Sequence, residues 1–386
     1  MRDTGKTLKK GFTTGTCAAA GAKAAAMAVF ALPGRLIVKT VLVTLPSGNV
    51  LNIKIKTVRV FENRAVATVV KDAGDDPDVT NGAEIVTEVE LVPESRKTPP
   101  ALACPPLKAC EGRLKRGKVV IKGGEGVGMV TRPGLKIRPG RPAINPVPLA
   151  MIKRAVLEAA REAGVKTTSA VVTVSVPEGK RLALKTMNPR LGITGGISIL
   201  GTSGIVEPMS LSAYRHSISL GVDVALANGC SVLVYSTGRS TEKAVQKAMN
   251  DLPETAFILT GDHMGHALKD ALGRPLLRKA VIAGQFAKFS KLAAGHFETH
   301  CSDASVELAF LAGLCRELAA PPAIIKKVEN ANTAREVFFI LKASGCGAVL
   351  KAVCALVKKN AARITGKGFA LQCVLAGYSN DIVCVC

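Results

Sequence analysis

Four short apolar runs in this sequence each lead into a glycine-bearing turn and then a helical stretch. Ile197 to Leu200 leads to Gly201-Thr202-Ser203-Gly204, and Val232 to Tyr235 leads to Ser236-Thr237-Gly238. Phe257 to Leu259 leads to Thr260-Gly261-Asp262-His263, and Ala280 to Ala283 leads to Gly284-Gln285. Glycine lets the backbone approach a ligand closely, and the start of the following helix presents N–H groups. Such turns suit a nucleotide-like or adenosyl ligand, although any α/β domain places glycine between strand and helix. No turn has the G-x-x-x-x-G-K-[ST] or G-x-G-x-x-G spacing, so ATP chemistry and dinucleotide redox chemistry lose support.

The other groups able to do chemistry are sparse. His263 and His266 are three apart, and His296 and His300 are four apart with Cys301 adjacent. Histidines at i, i+4 can hold zinc, but no third ligand with a recognisable spacing accompanies them, so no metal site is expected. Cys17 falls in the first turn of an expected helix, where a thiol pKa can drop, yet no histidine is paired with it in sequence. Cys384-Val385-Cys386 is a C-x-C placed where fraying is expected.

Charge narrows the partner. The 386 residues carry 52 Lys plus Arg against 29 Asp plus Glu, a formal +23, and ten of the basic residues against two acids fall between Lys108 and Arg141. That excess points to an anionic partner. Aromatic residues are 4% with no Trp, which leaves little for base stacking, so a small polyanion with several carboxylates fits better than nucleic acid. Arginine's fork matches a carboxylate with two hydrogen bonds. The longest charge-free run, Leu191 to Val206, contains five glycines and is too short for a bilayer span. The first sixteen residues hold no apolar signal stretch; with eleven cysteines, this predicts a cytoplasmic protein with free thiols.

These residues need elements to position them. Thr13 to Thr16 offers helix-capping hydroxyls before an alanine-rich helix over Cys17 to Leu32 that ends at Pro33-Gly34. Strand-like runs follow at Leu36 to Leu45, Val50 to Val60, Ala65 to Val70, Glu84 to Val92 and Lys118 to Lys122, with a proline-rich loop over Thr98 to Pro106. Leu149 to Ala163 has helical periodicity, while Val171 to Val176 and Leu182 to Lys185 look like strands. After residue 190 strand and helix alternate, which predicts a parallel sheet covered by helices. From Thr333 two helices and a last strand or two are expected. The expected architecture is an α and β multidomain chain: an α+β domain over 1–190 with a basic loop region, then a Rossmann-like α/β domain over 191–386.

Several strings resemble the motifs of the cobalt-precorrin-5B C1-methyltransferases of anaerobic cobalamin synthesis. They are Gly11 to Ala20 (GFTTGTCAAA), Gly126 to Leu135 (GVGMVTRPGL), Ala143 to Pro148 (AINPVP), Thr186 to Met209 (TMNPRLGITGGISILGTSGIVEPM), Tyr235 to Glu242 (YSTGRSTE) and Lys291 to His300 (KLAAGHFETH), in one collinear order. The resemblance implies transfer of a methyl group from S-adenosylmethionine to C1 of cobalt-precorrin-5B, giving cobalt-precorrin-6A. Cobalt enters only as part of the tetrapyrrole substrate, whose rim of carboxylates suits a basic chain. Under that implication Gly195, Gly196, Gly201, Thr202, Gly204, Thr237, Gly238 and Gly261 face the adenosyl group. Thr13, Thr14, Arg132, Lys185 and Arg190 meet the carboxylate rim, and Asp262 and His300 are the candidate bases. A methyltransferase for another carbon of the same ring, or a non-catalytic nucleic-acid-binding protein, is the alternative. Neither nucleic acid nor membrane is an expected partner, and the oligomeric state stays open, a homo-oligomer included.

Overall fold

The computed structural model describes residues 8–31, 38–92, 118–165, 168–300, 307–366 and 368–386. Pro33-Gly34, the 98–106 loop, the basic run before Lys118, Cys104, Cys110 and Cys301 lie outside the described residues. The chain forms two compact units, Met1–Ser210 and Leu211–Cys386.

In the first unit, β1 (Gly11–Phe12) leads into helix α1 (Thr14–Phe30), capped by Thr13, whose side chain accepts from the Thr16 N–H. Every residue of α1 except Met27, Val29 and Phe30 is buried. Its alanines and glycines are explained by what lies against it. A Cβ on Gly21 would stand 2.7 Å from Thr87 Oγ1, and Thr87 Oγ1 donates to Ala18 O at 3.3 Å. Burial pushes the Cys17 thiol up to about 12, the reverse of the depressed thiol that a helix start suggests.

Strands β2 (Thr40–Thr44) and β3 (Val50–Lys54) make a hairpin. The run from Val50 to Val60, expected as one strand, divides after Lys54, because β4 (Thr57–Val60) leaves β2 to pair with β5 (Arg64–Val70). β6 (Glu84–Leu91), β7 (Val119–Gly123) and β9 (Ala170–Ser175) complete a five-stranded sheet in the order β4-β5-β6-β9-β7. The short β8 (Met129–Val130) lies outside it, and α2 (Pro146–Glu162) buries Met151, Ile152, Ala155, Val156 and Ala159. Lys23 on α1 pairs with Glu158 and Glu162 of α2 at 3.1 and 3.0 Å. Leu182 to Lys185, read as a strand, is instead the end of helix α3 (Gly179–Ala183) and a turn. Two leucines in alternation are too short a pattern to separate the two.

The expected boundary at residue 190 moves to 210. The segment it would send to the second unit is laced into the first. β10 (Ile193–Thr194) pairs with β8, and β11 (Ile205–Val206) pairs with β1. Ile197 and Ile199 bridge to Val127 and Ile144. Ile197 to Leu200 is therefore not a strand of the parallel sheet.

The second unit begins with α4 (Leu211–Ala227) and then runs β12 (Val232–Ser236), α5 (Arg239–Ala248), β13 (Phe257–Leu259), α6 (Met264–Leu272), β14 (Lys279–Gln285) and α7 (Phe286–Ala293). Helices α8 (Leu308–Glu317), α9 (Pro322–Glu329), α10 (Ala334–Ala343) and α11 (Gly347–Thr365) precede β15 (Ala370–Ala376) and β16 (Ile382–Val385). The sheet order is β13-β12-β14-β15-β16, with all pairs parallel except β15-β16. Ala280 to Gly284 are all buried, as expected of a strand covered on both faces. The core includes Tyr235, Phe286, Phe289 and Phe338. Cys384 sits within β16, opposite Leu375, so the C-x-C is paired rather than frayed. Among the described residues no helix is long and apolar enough to cross a membrane.

Candidate functional site

In an open parallel sheet the ligand crevice lies outside the carboxyl ends of two neighbouring strands whose outgoing connections diverge. Here those strands are β12 and β14. The chain leaves β12 toward β13 on one side and leaves β14 toward β15 on the other. The residues at this switch point are Ser236-Thr237-Gly238 and Gly284-Gln285. Thr237 N–H donates to Ala283 O at 3.0 Å, holding the two ends together. Gly238 caps α5 in an extended conformation (φ −169°), with no side-chain cap, and a Cβ there would meet none of the described residues within 4 Å. Ser236 Oγ is buried without a hydrogen-bond partner among the described residues. A backbone with open space and an orphaned hydroxyl fit a polar ligand at this edge.

At the adjoining end of β13, Gly261 adopts φ +57°, and its missing side chain leaves room for the Tyr214 hydroxyl, 2.7 Å from where a Cβ would stand. Asp262 follows. Its Oδ1 accepts from Thr299 Oγ1 at 2.7 Å and from Lys288 Nζ, and Thr299 N–H donates to Asp262 O at 3.0 Å. Lys288 and Lys291 both donate to Thr299 O. Burial favours the neutral acid, but the bonds from Lys288 and Thr299 and the charges of Lys288 and His300 outweigh it. They hold the Asp262 carboxyl below the usual carboxylate range.

The clasp continues through His263, whose Nδ1 is 2.7 Å from Glu298 Oε2, with Arg215 Nη2 at 3.4 Å from the same oxygen. His263 is buried, and His300, beside Asp262, is exposed. The histidine pairs are engaged separately: His266 Nε2 lies 3.4 Å from Ser219 Oγ, and His296 Nε2 lies 3.5 Å from Glu307 Oε1. Glu298 and Thr299 fall within the quoted string at 291–300, which gave them no role, and Lys288, Tyr214 and Arg215 carried no local signal in sequence. They come from α4, α7 and the segment after α7, so no spacing could group them.

The remaining candidate residues lie in the first unit and form a different kind of structure. Thr14 Oγ1 accepts from Leu200 N–H at 2.9 Å and reaches Ser198 O and Leu200 O at 3.3 Å. Thr16 Oγ1 donates to Gly204 O at 2.6 Å. Thr13 and Thr14 are buried, with their hydroxyls committed inside the unit rather than turned to a ligand. Gly201 packs on the Thr13 side chain, and Gly204 packs on Leu45 and Thr16. Gly196 lies against Gly126, where a Cβ would stand 2.1 Å from Gly126 O.

Ala143 N–H donates to Gly128 O, Ile199 N–H to Ala143 O and Asn145 N–H to Ile199 O, at 2.7, 2.8 and 2.9 Å. The segments at 11–20, 126–135, 143–148 and 186–209 are thus knitted into one scaffold. Gly195 and Thr202 stand at its exposed tips. Its cations point outward to different degrees: Lys185 is exposed, Arg190 is half-buried, and Arg132 is half-buried with its aliphatic stem over Gly192.

The second unit is thus an α/β domain whose parallel sheet has a switch point between β12 and β14, and the first is an α+β domain that carries a glycine-locked, cation-bearing scaffold. The family model described as CbiD matches residues 1–208, and CbiD, C-terminal domain, matches residues 298–386; the chain belongs to the CbiD family. A protein of Geobacter sulfurreducens named cobalt-precorrin-5B C(1)-methyltransferase is 42% identical, covering 98% of this chain and 99% of that protein. Proteins of the same name from Geobacillus kaustophilus and Leptospira interrogans are 41% and 36% identical, over 96% and 99% of this chain and 92% and 97% of their own lengths. The solved cobalamin biosynthesis protein (cbiD) from Archaeoglobus fulgidus is 27% identical, covering 81% of this chain and 85% of that chain with a TM-score of 0.37.

Proposed function

We propose that this chain is the enzyme that methylates cobalt-precorrin-5B at C1, giving cobalt-precorrin-6A in anaerobic cobalamin synthesis, with S-adenosylmethionine as donor. The observation that carries the reading is the near-full-length identity to proteins bearing that enzyme name. Bound S-adenosylmethionine supplies a methyl already activated on its sulfonium, which leaves the chain to bind, orient and exclude water.

The switch point supports a Rossmann-like use of the second unit. The backbone at Thr237 and Gly238 and the turn at Gly261 line the donor edge, with Ser236 Oγ and the Gly284-Gln285 turn beside them. Asp262, held as an anion by Lys288 and Thr299, is a weak base and serves as a fixed negative charge near that edge. His300, exposed beside it, is the better placed of the two to take a proton. On the first unit, Arg132, Lys185 and Arg190 bind rim carboxylates, while Thr13, Thr14, Gly196, Gly201 and Gly204 hold the scaffold that carries them.

The test is an anaerobic incubation with cobalt-precorrin-5B and methyl-labelled S-adenosylmethionine, followed by NMR of the product. A single labelled methyl on C1 is the expected result. A methyl on another ring carbon, or none, would overturn the reading.

A further inference from the structure

The carboxyl edge of the second unit's sheet continues past Gln285. β14 and β15 are parallel and end in register, Gln285 opposite Ala376, so Gly377 and Tyr378 leave β15 at that same edge. Gln285 Nε2 donates to Gly377 O at 3.3 Å, and Ala287 N–H, in the first turn of α7, donates to the Tyr378 hydroxyl at 3.4 Å. Tyr378 is thereby tied to the turn that follows β14. Its ring meets one face of α10, on which Arg335, Phe338, Phe339 and Lys342 recur at helical spacing. The ring centroids of Phe338 and Phe339 lie 5.1 and 5.6 Å from that of Tyr378.

Arg335 sits on this cluster. Its Cζ is 4.9 Å from the Tyr378 ring centroid and 5.9 Å from that of Phe339, and both Arg335 and Phe339 are exposed. A ring face holds a cation through its quadrupole and leaves the N–H fork of the guanidinium to other acceptors. The acids close to it in sequence are engaged elsewhere. Glu336 Oε2 accepts from Asn332 N–H at 2.8 Å, and Asp381 Oδ2 pairs with Lys342 at 3.3 Å. Burial pushes the Tyr378 phenol up, so the ring stays neutral and does not cancel the arginine's charge. Among the described residues, Arg335 forms no ion pair with a carboxylate. An arginine oriented by two rings, without an acid, at the carboxyl edge of a parallel sheet suits a planar anion with two oxygens.

We propose that Arg335 binds a carboxylate of a ligand seated at the β12–β14 switch point. The proposal rests on the methyltransferase reading, which brings two sources of that group: the amino-acid end of S-adenosylmethionine and the rim of the tetrapyrrole. Arg335 touches the ligand with its fork. Tyr378 and Phe339 are positioning residues, which act by fixing where that fork points.

The test measures binding by full-length wild type, Arg335→Gln and Arg335→Lys. Calorimetry is run with S-adenosylhomocysteine and with its decarboxylated analogue, and anaerobic absorbance titration with cobalt-precorrin-5B. If the donor supplies the carboxylate, Arg335→Gln weakens S-adenosylhomocysteine by about tenfold and leaves the decarboxylated analogue within about twofold of wild type. If the rim supplies it, both adenosyl ligands stay within about twofold and cobalt-precorrin-5B weakens by about tenfold. Arg335→Lys is expected to show a smaller loss for the same ligand, because an ammonium keeps the charge without the fork. It decides the question if Arg335→Gln does not match the wild-type circular dichroism. Tyr378→Leu, with the arginine left in place, should repeat the same selectivity among the ligands, which a purely structural role would not. Unchanged affinity for all three ligands in the arginine variants, or an equal loss for all three, would overturn the proposal. Failure of the methyltransferase reading shows separately, as a wild type that leaves C1 of cobalt-precorrin-5B unmethylated.

Discussion

In the first unit, a Cβ placed on Gly126 would lie 1.8 Å from Val176 O, and one on Gly196 would lie 2.1 Å from Gly126 O. In the second, the same construction on Gly238 meets none of the described residues within 4 Å. Both regions have the glycine-and-threonine texture that suits cofactor turns. One is glycine because backbone must touch backbone. The other is glycine at an open strand end, in an extended conformation that any residue adopts. The first kind of glycine marks the assembly of a scaffold, and the second marks room for something else.

That contrast can be broken by substitution. The largest effect belongs to Gly126→Ala. The added methyl collides with main chain, and φ +68° disfavours any side chain. A loss of more than about 4 kcal/mol is expected, read as failure to recover folded protein or as a collapsed urea midpoint. Wild-type stability would dissolve the distinction drawn here.

Gly238→Ala should do the opposite, with a melting temperature that stays near wild type. Calorimetric affinity for S-adenosylhomocysteine should fall by about tenfold, the equivalent of roughly 1.4 kcal/mol. Intact affinity would move the donor site away from this turn.

The smallest effect is a pH dependence. The Asp262 carboxyl is depressed in the folded state, so its contribution is fully present above the unfolded carboxylate value of about 3.9 and is lost as pH falls through the lower folded value. Asp262→Asn should therefore lower the melting temperature at neutral pH and flatten its decline in acid. Parallel acid limbs for the two proteins would show that the Lys288 and Thr299 bonds do not hold the carboxylate.

Much of the second unit was legible. Val232 to Tyr235, Phe257 to Leu259 and Ala280 to Ala283 are short apolar runs between a helix and a glycine turn, and each is a strand of the parallel sheet. Ile197 to Leu200 has the same outline but joins the first unit. Its apolar residues answer Val127 and Ile144, some 55 to 70 residues earlier, and local periodicity does not register such partners. Thr237, Gly238 and Gly261 could be read from turn chemistry. The bonds of Lys288 and Thr299 to Asp262 could not, because the packing of α7 and the return of the chain after it set them there.

Composition and local pattern determined that the chain is basic, alternates strand with helix in its second half, and carries a family's motifs in order. Those properties reside in residue type and short spacing, so they survive without coordinates. Tertiary structure decided which glycines are filled by backbone and which stand open, that Thr13 and Thr14 face inward, and that Asp262 is pinned as an anion. Each of those outcomes depends on groups far apart in sequence meeting at hydrogen-bond distance, and packing alone determines where they meet.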